Sequence, residues 1–286
     1  GFGDACGTDW PLCNGEFIPA FTIEVAVEYS HRVVSALVGL LVLASFIGVW
    51  RATRRKDLRV YAFAALFFTV LQGGLGAAAV VWSQSDLVMA LHFGFSLIAF
   101  AATFLLAVGV VRIERPTDPS GWGEAHVFPG KLLRRFNVSI WASAIGTYLV
   151  VYLGAYVRHT GSMAGCEGWP TCNGAIWPDM SDSSTAIAFI HRLGALLLFI
   201  VVAYMAVVGL RAYGRDAVIR NACIAALVSV ALQILSGALV IFSLDSDSAF
   251  LYSALLHTCI VAALFAVLCY LAVLTLQWGS KRSSAA

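Results

Sequence analysis

Apolar residues run along this chain in seven long blocks, and the segments between them collect most of its charge. The blocks fall at residues 24–50, 60–82, 87–111, 136–157, 185–210, 218–243 and 250–276. An α-helix rises about 1.5 Å per residue, so each block is long enough to cross a hydrocarbon layer about 30 Å thick. The alternating pattern of a membrane barrel, in segments of about ten residues, is absent. The prediction is an all-α membrane protein with seven transmembrane helices in this chain.

Composition agrees. The 286 residues are 60% hydrophobic and 12% charged, whereas soluble domains are about one quarter charged. Net charge, +2, says little until it is divided by side. Arg51, Arg54, Arg55, Lys56 and Arg59 follow the first block; Arg112, Arg115, Lys131, Arg134 and Arg135 follow the third. Arg211, Arg215 and Arg220 follow the fifth, and Lys281 and Arg282 the seventh. An excess of Lys and Arg marks cytoplasmic loops. The other loops then face outward, and they hold Asp4, Asp9, Glu16, Glu167, Asp179, Asp182, Asp245 and Asp247. This segregation predicts a multi-pass membrane protein with its cysteine-bearing loops outward and its C-terminus in the cytoplasm. No basic footprint for nucleic acid is present.

The chain also repeats itself. "CGTDWPLCNGEFIP" (Cys6 to Pro19) is echoed by "CEGWPTCNGAIWP" (Cys166 to Pro178). His31-Arg32 matches His191-Arg192, "LQGGLGA" from Leu71 matches "LQILSGA" from Leu232, and His92 matches His257. Two pseudo-symmetric helical-bundle halves follow: residues 1–112, a cytoplasmic linker at 113–135, and residues 136–286. The first three helices pair with the last three. The fourth has no counterpart, so the repeat predicts an eighth helix preceding Gly1.

Of six histidines, four occupy repeated positions. His31, His92 and His191 each precede a basic residue, Arg51, Arg112 and Arg211, by 20 positions, which places them about 30 Å from the cytoplasmic boundary. His257 enters its helix at a similar depth. Any one of them reads equally as a packing residue. Four at one depth, two per repeat, point to paired axial ligands of heme iron, enclosed by apolar helices. A zinc site would draw three or four ligands together, with carboxylate or thiolate help. Two heme sites are predicted, His31 with His92 and His191 with His257. Arg32 and Arg192, one residue further on, suit either heme propionates, by bidentate hydrogen bonds, or snorkelling to the interface. His126 and His159 lack repeat partners and read as loop residues.

Glu28 precedes His31 by three residues and shares its helix face. The second half has Ala188 in its place. An ionisable group in a membrane span is costly and marks function by default, so the asymmetry assigns chemistry to the first half and a permanent cofactor to the second. A place in the headgroup layer is the plainer alternative. Four outward cysteines allow three pairings; the repeat favours Cys6–Cys13 and Cys166–Cys172, on the oxidising side. Cys223, Cys259 and Cys269 lie within helices, where packing is their expected role.

The paired "WPxCNG" loops, "EYSHR" followed by a second-half "HR", and histidines on alternate helices together resemble the heme A synthase family, over essentially the whole chain. Members convert heme O to heme A for terminal oxidases. The resemblance implies an eight-helix bundle of two four-helix halves and oxidation of a ring methyl, through hydroxylation, to a formyl group. It implies that His31 and His92 flank substrate heme O, that His191 and His257 ligate heme b, and that Glu28 is the catalytic carboxylate. The first cysteine pair is implied to serve function and the second structure. Implied partners are the bilayer, an electron acceptor, heme O synthase as supplier, and room for a homo-oligomer. Two other classes share some features. A diheme electron-transfer protein would use the same histidine pairs but would have no need of a one-sided Glu28. A thiol-disulfide oxidoreductase would more often carry C-x-x-C than these wider gaps.

Overall fold

The computed structural model describes residues 5–8, 10–81, 86–113 and 130–283. Seven helices occupy the predicted blocks: α1 (Ile23–Ala52), α2 (Lys56–Val81), α3 (Asp86–Ile113), α4 (Gly130–His159), α5 (Ser183–Tyr213), α6 (Ala217–Phe242) and α7 (Asp247–Ser283). A 3₁₀ turn at Ser162–Gly165 follows α4. All seven are long and apolar enough to cross a membrane. The charged residues Asp4, Asp9 and Arg115 and the loop histidine His126 lie outside the described residues.

Every helix starts before its apolar block, and the starts of α1, α5 and α6 are set by polar caps that hydropathy does not see. Thr22 caps α1 by accepting from Val25 N–H, Asp182 caps α5 through Thr185 N–H, and Asp216 caps α6 through the N–H groups of Val218 and Ile219. Each side chain satisfies backbone donors that a helix start leaves open.

The chain divides into two compact units, residues 1–110 and 111–286. In the first, α1, α2 and α3 meet in two apolar clusters: Val42, Ala65 and Ala102 form one, and Leu58, Ala62 and Leu106, with Phe46 and Val49 of α1 packed against them, the other. Along α1, Val33, Val34, Leu37, Leu40 and Leu41 are exposed, an apolar face suited to lipid. In the second unit α4 packs on α5 and α7, and α6 packs on the same two, so the four helices close a ring. Its interior holds Phe136, Ile140, Val202, Met205, Ile219 and Leu268, all fully buried. Gly209 admits this packing, since a Cβ there would lie 2.5 Å from Cys223 Sγ and 2.6 Å from Phe136 Cε2. Small residues of this kind let membrane helices approach closely. Ser139, Ser143 and Thr147 on α4 are buried, and each donates its hydroxyl to a carbonyl three or four residues back at 2.7–2.8 Å. No polar side chain on that line is left to face hydrocarbon.

Candidate functional site

Each unit carries one disulfide loop above one pair of histidines. The loops form the same way from the shared sequence. Trp10–Pro11 and Trp169–Pro170 are cis. At "CNG", Asn14 and Asn173 have φ of 52° and 54°, and Gly15 and Gly174 have 79° and 77°. Asn and Gly are the residues that tolerate positive φ, so "CNG" is a tight reversal written into the sequence. Cys13 and Glu16 exchange backbone hydrogen bonds across it, as do Cys172 and Ala175. Cys6 is bonded to Cys13, and Cys166 to Cys172. All four residues are 0–1% exposed.

Beneath the first loop lies the "EYSHR" segment. Arg32 Nη2 donates to Glu28 Oε1 at 2.6 Å, and the two side chains are 9% and 10% exposed. Glu28 Oε2 accepts from the Cys6 backbone N–H at 3.1 Å, while Arg32 Nη1 donates to the Leu12 carbonyl. The carboxylate is therefore paired within its own helix and tied to the disulfide. Burying a charge requires such partners.

The second loop has a different mount. Arg192 donates to the carbonyls of Cys166 (2.6 Å), Thr171 (2.8 Å) and Gly168 (2.9 Å). Thr185 Oγ1 donates to the Gly165 carbonyl at 2.8 Å. Ala188 is 5% exposed and packs against the Cys166–Cys172 disulfide. Both arginines proposed as propionate partners thus have protein partners: Arg192 has three loop carbonyls, and Arg32 has Glu28 and one loop carbonyl.

The histidines come together in twos. His92 lies within electrostatic range of His31 in the first unit, and His191 within range of His257 in the second. Among the described residues no three His, Cys, Asp or Glu side chains gather at one point. His92 Nδ1 lies 2.7 Å from the Gln72 carbonyl, an acceptor, so Nδ1 carries the proton and Nε2 the lone pair. His257 is held at Nδ1 by Ser236 Oγ (2.9 Å), and Gln233 Nε2 lies 3.0 Å from its Nε2. His191 Nδ1 is buried without a hydrogen-bond partner. His92 and His257 are thus held at Nδ1 and keep a lone pair on Nε2, the donor type that heme iron takes. These residues fit a heme in each unit. His159 sits in the last turn of α4.

The sequence reading missed Gln72, Ser96, Gln233, Ser236 and Thr185. Ser96 Oγ donates to Gln72 Oε1 at 2.8 Å. The signal for the glutamines was present, since both open the repeated "LQ" segments.

The profile of the cytochrome oxidase assembly protein family matches residues 19–269. The heme A synthase of Symbiobacterium thermophilum is 45% identical over 284 residues, 98% of this chain and 88% of that protein. That of Geobacillus kaustophilus is 40% identical over 97% of this chain and 84% of its own length, and that of Lysinibacillus sphaericus 37% over 95% and 86%. Paired histidines under paired disulfide loops and near-full-length identity to several relatives lead to one conclusion: the chain belongs to the cytochrome oxidase assembly protein family, among the heme A synthases.

Proposed function

We propose that this protein makes heme A by oxidising a ring methyl of heme O to a formyl group, with the reaction in the first unit and a resident heme b in the second. The disulfide loops face outward and the C-terminus lies in the cytoplasm. The observation that carries this division is Glu28. The two units repeat the histidine pair, the arginine and the loop, but only the first has a carboxylate one turn before the arginine, where the second has Ala188.

His31 and His92 flank the substrate, and His191 and His257 hold heme b. When bound, heme b supplies one-electron chemistry. Glu28 is held by Arg32 and the Cys6 amide close to His31, so its oxygens are fixed where a proton must leave, or where positive charge develops, beside the ring. Arg32 and Arg192 place positive charge at the rim of each site, where heme propionates would come to rest. Buried, disulfide-bonded sulfurs argue against thiol exchange with partner proteins.

The test is to supply the full-length protein with heme O and identify the hemes by chromatography. Heme A is expected from the wild type and at least about a hundredfold less from Glu28→Ala. Heme-loaded protein that forms no formylated heme would overturn the reading.

A further inference from the structure

Three of the four histidines rest on a glycine. A Cβ built on Gly76 would lie 3.1 Å from His92 Cε1, one on Gly154 would lie 3.0 Å from His191 Cε1, and one on Gly237 would lie 3.3 Å from His257 Cε1. The glycines belong to α2, α4 and α6, and each ring comes from the next helix in the chain. Each imidazole occupies the space where a side chain would begin. Contacts this short are tighter than nine in ten real Cβ contacts.

The partners of the rings recur too. The residue four before each glycine is Gln72, Val150 or Gln233, and residues four apart share a helix face. His92 Nδ1–H donates directly to the Gln72 carbonyl. For His257 the contact runs through Ser236, which donates its one proton to the Gln233 carbonyl at 3.0 Å and so accepts from His257 Nδ1–H. His191 meets the Val150 carbonyl without closing a hydrogen bond. A helix carbonyl has a second lone pair beyond the one used in the helix. Without a Cβ at the glycine, the ring can approach it.

We infer that Gly76, Gly154 and Gly237 are positioning residues for the heme ligands, each leaving the space in which one imidazole is oriented against the neighbouring backbone. The inference rests on the heme reading and adds to it: the glycine-bearing helices set the orientation of ligands they do not themselves carry. Four other glycines serve as internal controls. Gly73 and Gly74, one turn or less from Gly76, and Gly39 and Gly48 on α1 have nothing within 4 Å of a built Cβ.

The experiment uses the full-length, heme-loaded protein and reads the low-spin b-type absorbance, the midpoint potential and carbon monoxide binding. Gly154→Ala and Gly237→Ala are expected to shift the potential and open an axial position to carbon monoxide, while Gly73→Ala and Gly74→Ala match the wild type. Gly76→Ala should leave the b-type spectrum unchanged and weaken heme O binding at least about tenfold, the scale of a lost outer-shell partner. In a His257→Ala background, Gly237→Ala should have no further effect, because the ring it would strike is gone. If Gly237→Ala alone fails to assemble but Gly237→Ala/His257→Ala assembles, the clash with the ring is demonstrated. Failure in both backgrounds would overturn the proposal, since the contact would then be helix packing. Wild-type spectrum, potential and carbon monoxide inertness in Gly154→Ala and Gly237→Ala would overturn it as well. A b-type spectrum that survives His191→Ala and His257→Ala would instead remove the heme reading itself.

Discussion

The loops closed by Cys6–Cys13 and by Cys166–Cys172 share a cis Trp-Pro step, an Asn-Gly reversal and a disulfide, yet the two loops sit on their helices through different chemistry. The helices align at a constant offset: Thr22 with Asp182, Val25 with Thr185, Glu28 with Ala188, Arg32 with Arg192. In the second unit the polar anchor is Thr185 and the position one turn on is a buried alanine. In the first unit Val25 is apolar and packs on the disulfide, and the anchor is Glu28. The arginine follows this exchange. Arg192 gives all its hydrogen bonds to loop carbonyls, while Arg32 divides its own between Glu28 and Leu12. A loop held without a carboxylate suits a site whose cofactor stays. A loop held by a carboxylate suits a site where the same carboxylate has work to do on a substrate that comes and goes.

The largest effect should come from removing that carboxylate. Glu28→Ala is expected to lower heme A yield by about 10²–10⁴-fold, the usual worth of a positioned acid or base, as read by chromatography of extracted hemes. The b-type absorbance of the second unit should be unchanged. A yield within a few-fold of wild type would reduce the asymmetry between the loops to one of packing.

The converse substitution tests the second mount. Ala188→Glu places a carboxylate against the Cys166–Cys172 disulfide, beside an arginine already committed to three carbonyls. A buried charge without a free partner costs about 3–5 kcal/mol, so the denaturation midpoint of the second unit should fall sharply. A variant as stable as wild type would mean that Arg192 can leave the loop and pair as Arg32 does, making the two mounts interchangeable.

How much of this could be read from the sequence depended on whether the signal was periodic or geometric. Seven apolar blocks gave the seven helices, because lipid imposes a length that composition reveals. The repeat placed Cys6 with Cys13 and Cys166 with Cys172, the pairs that the structure joins. The ends of α1 and α5 were missed because Thr22 and Asp182 cap from outside the apolar blocks. The bonds of Arg32 and Arg192 were not legible either, since the carbonyls they meet converge only after the cis prolines and positive-φ asparagines have shaped the loop. Gly76, Gly154 and Gly237 look like any other glycines of membrane helices. Only the rings beside them distinguish them from Gly73 and Gly74.

A smaller effect should follow from making the second mount resemble the first at its other position. Thr185→Val deletes the 2.8 Å bond to the Gly165 carbonyl while keeping the shape that Val25 has in the first unit. The expected loss is about 1–2 kcal/mol, one hydrogen bond plus an acceptor left short of a partner, read from the thermal midpoint of the purified protein. If nothing changes, Arg192 alone holds the loop.

The smallest effect separates the two caps. Thr22 has no charge to lose, whereas Asp182 accepts from Thr185 N–H at 2.7 Å and shares the one Thr185 hydroxyl proton, at 2.9 Å, with the Gly165 carbonyl. These bonds to Thr185 hold its carboxyl below the usual carboxylate range. The folded state therefore binds this proton less readily than the unfolded chain, and the cap's contribution is complete above the unfolded value near 3.9 and declines as pH falls through it toward the folded one. Asp182→Asn keeps a cap but removes the charge, so the difference in thermal midpoint between wild type and variant should be present at pH 7 and shrink as pH falls below the unfolded value. Thr22→Ser should give one constant difference across the same range. Because Asp182 is fully exposed, salt should diminish its effect at pH 7. A difference that ignores both pH and salt would place the anchor of the second loop wholly in the bonds that Thr185 and Arg192 make to its carbonyls.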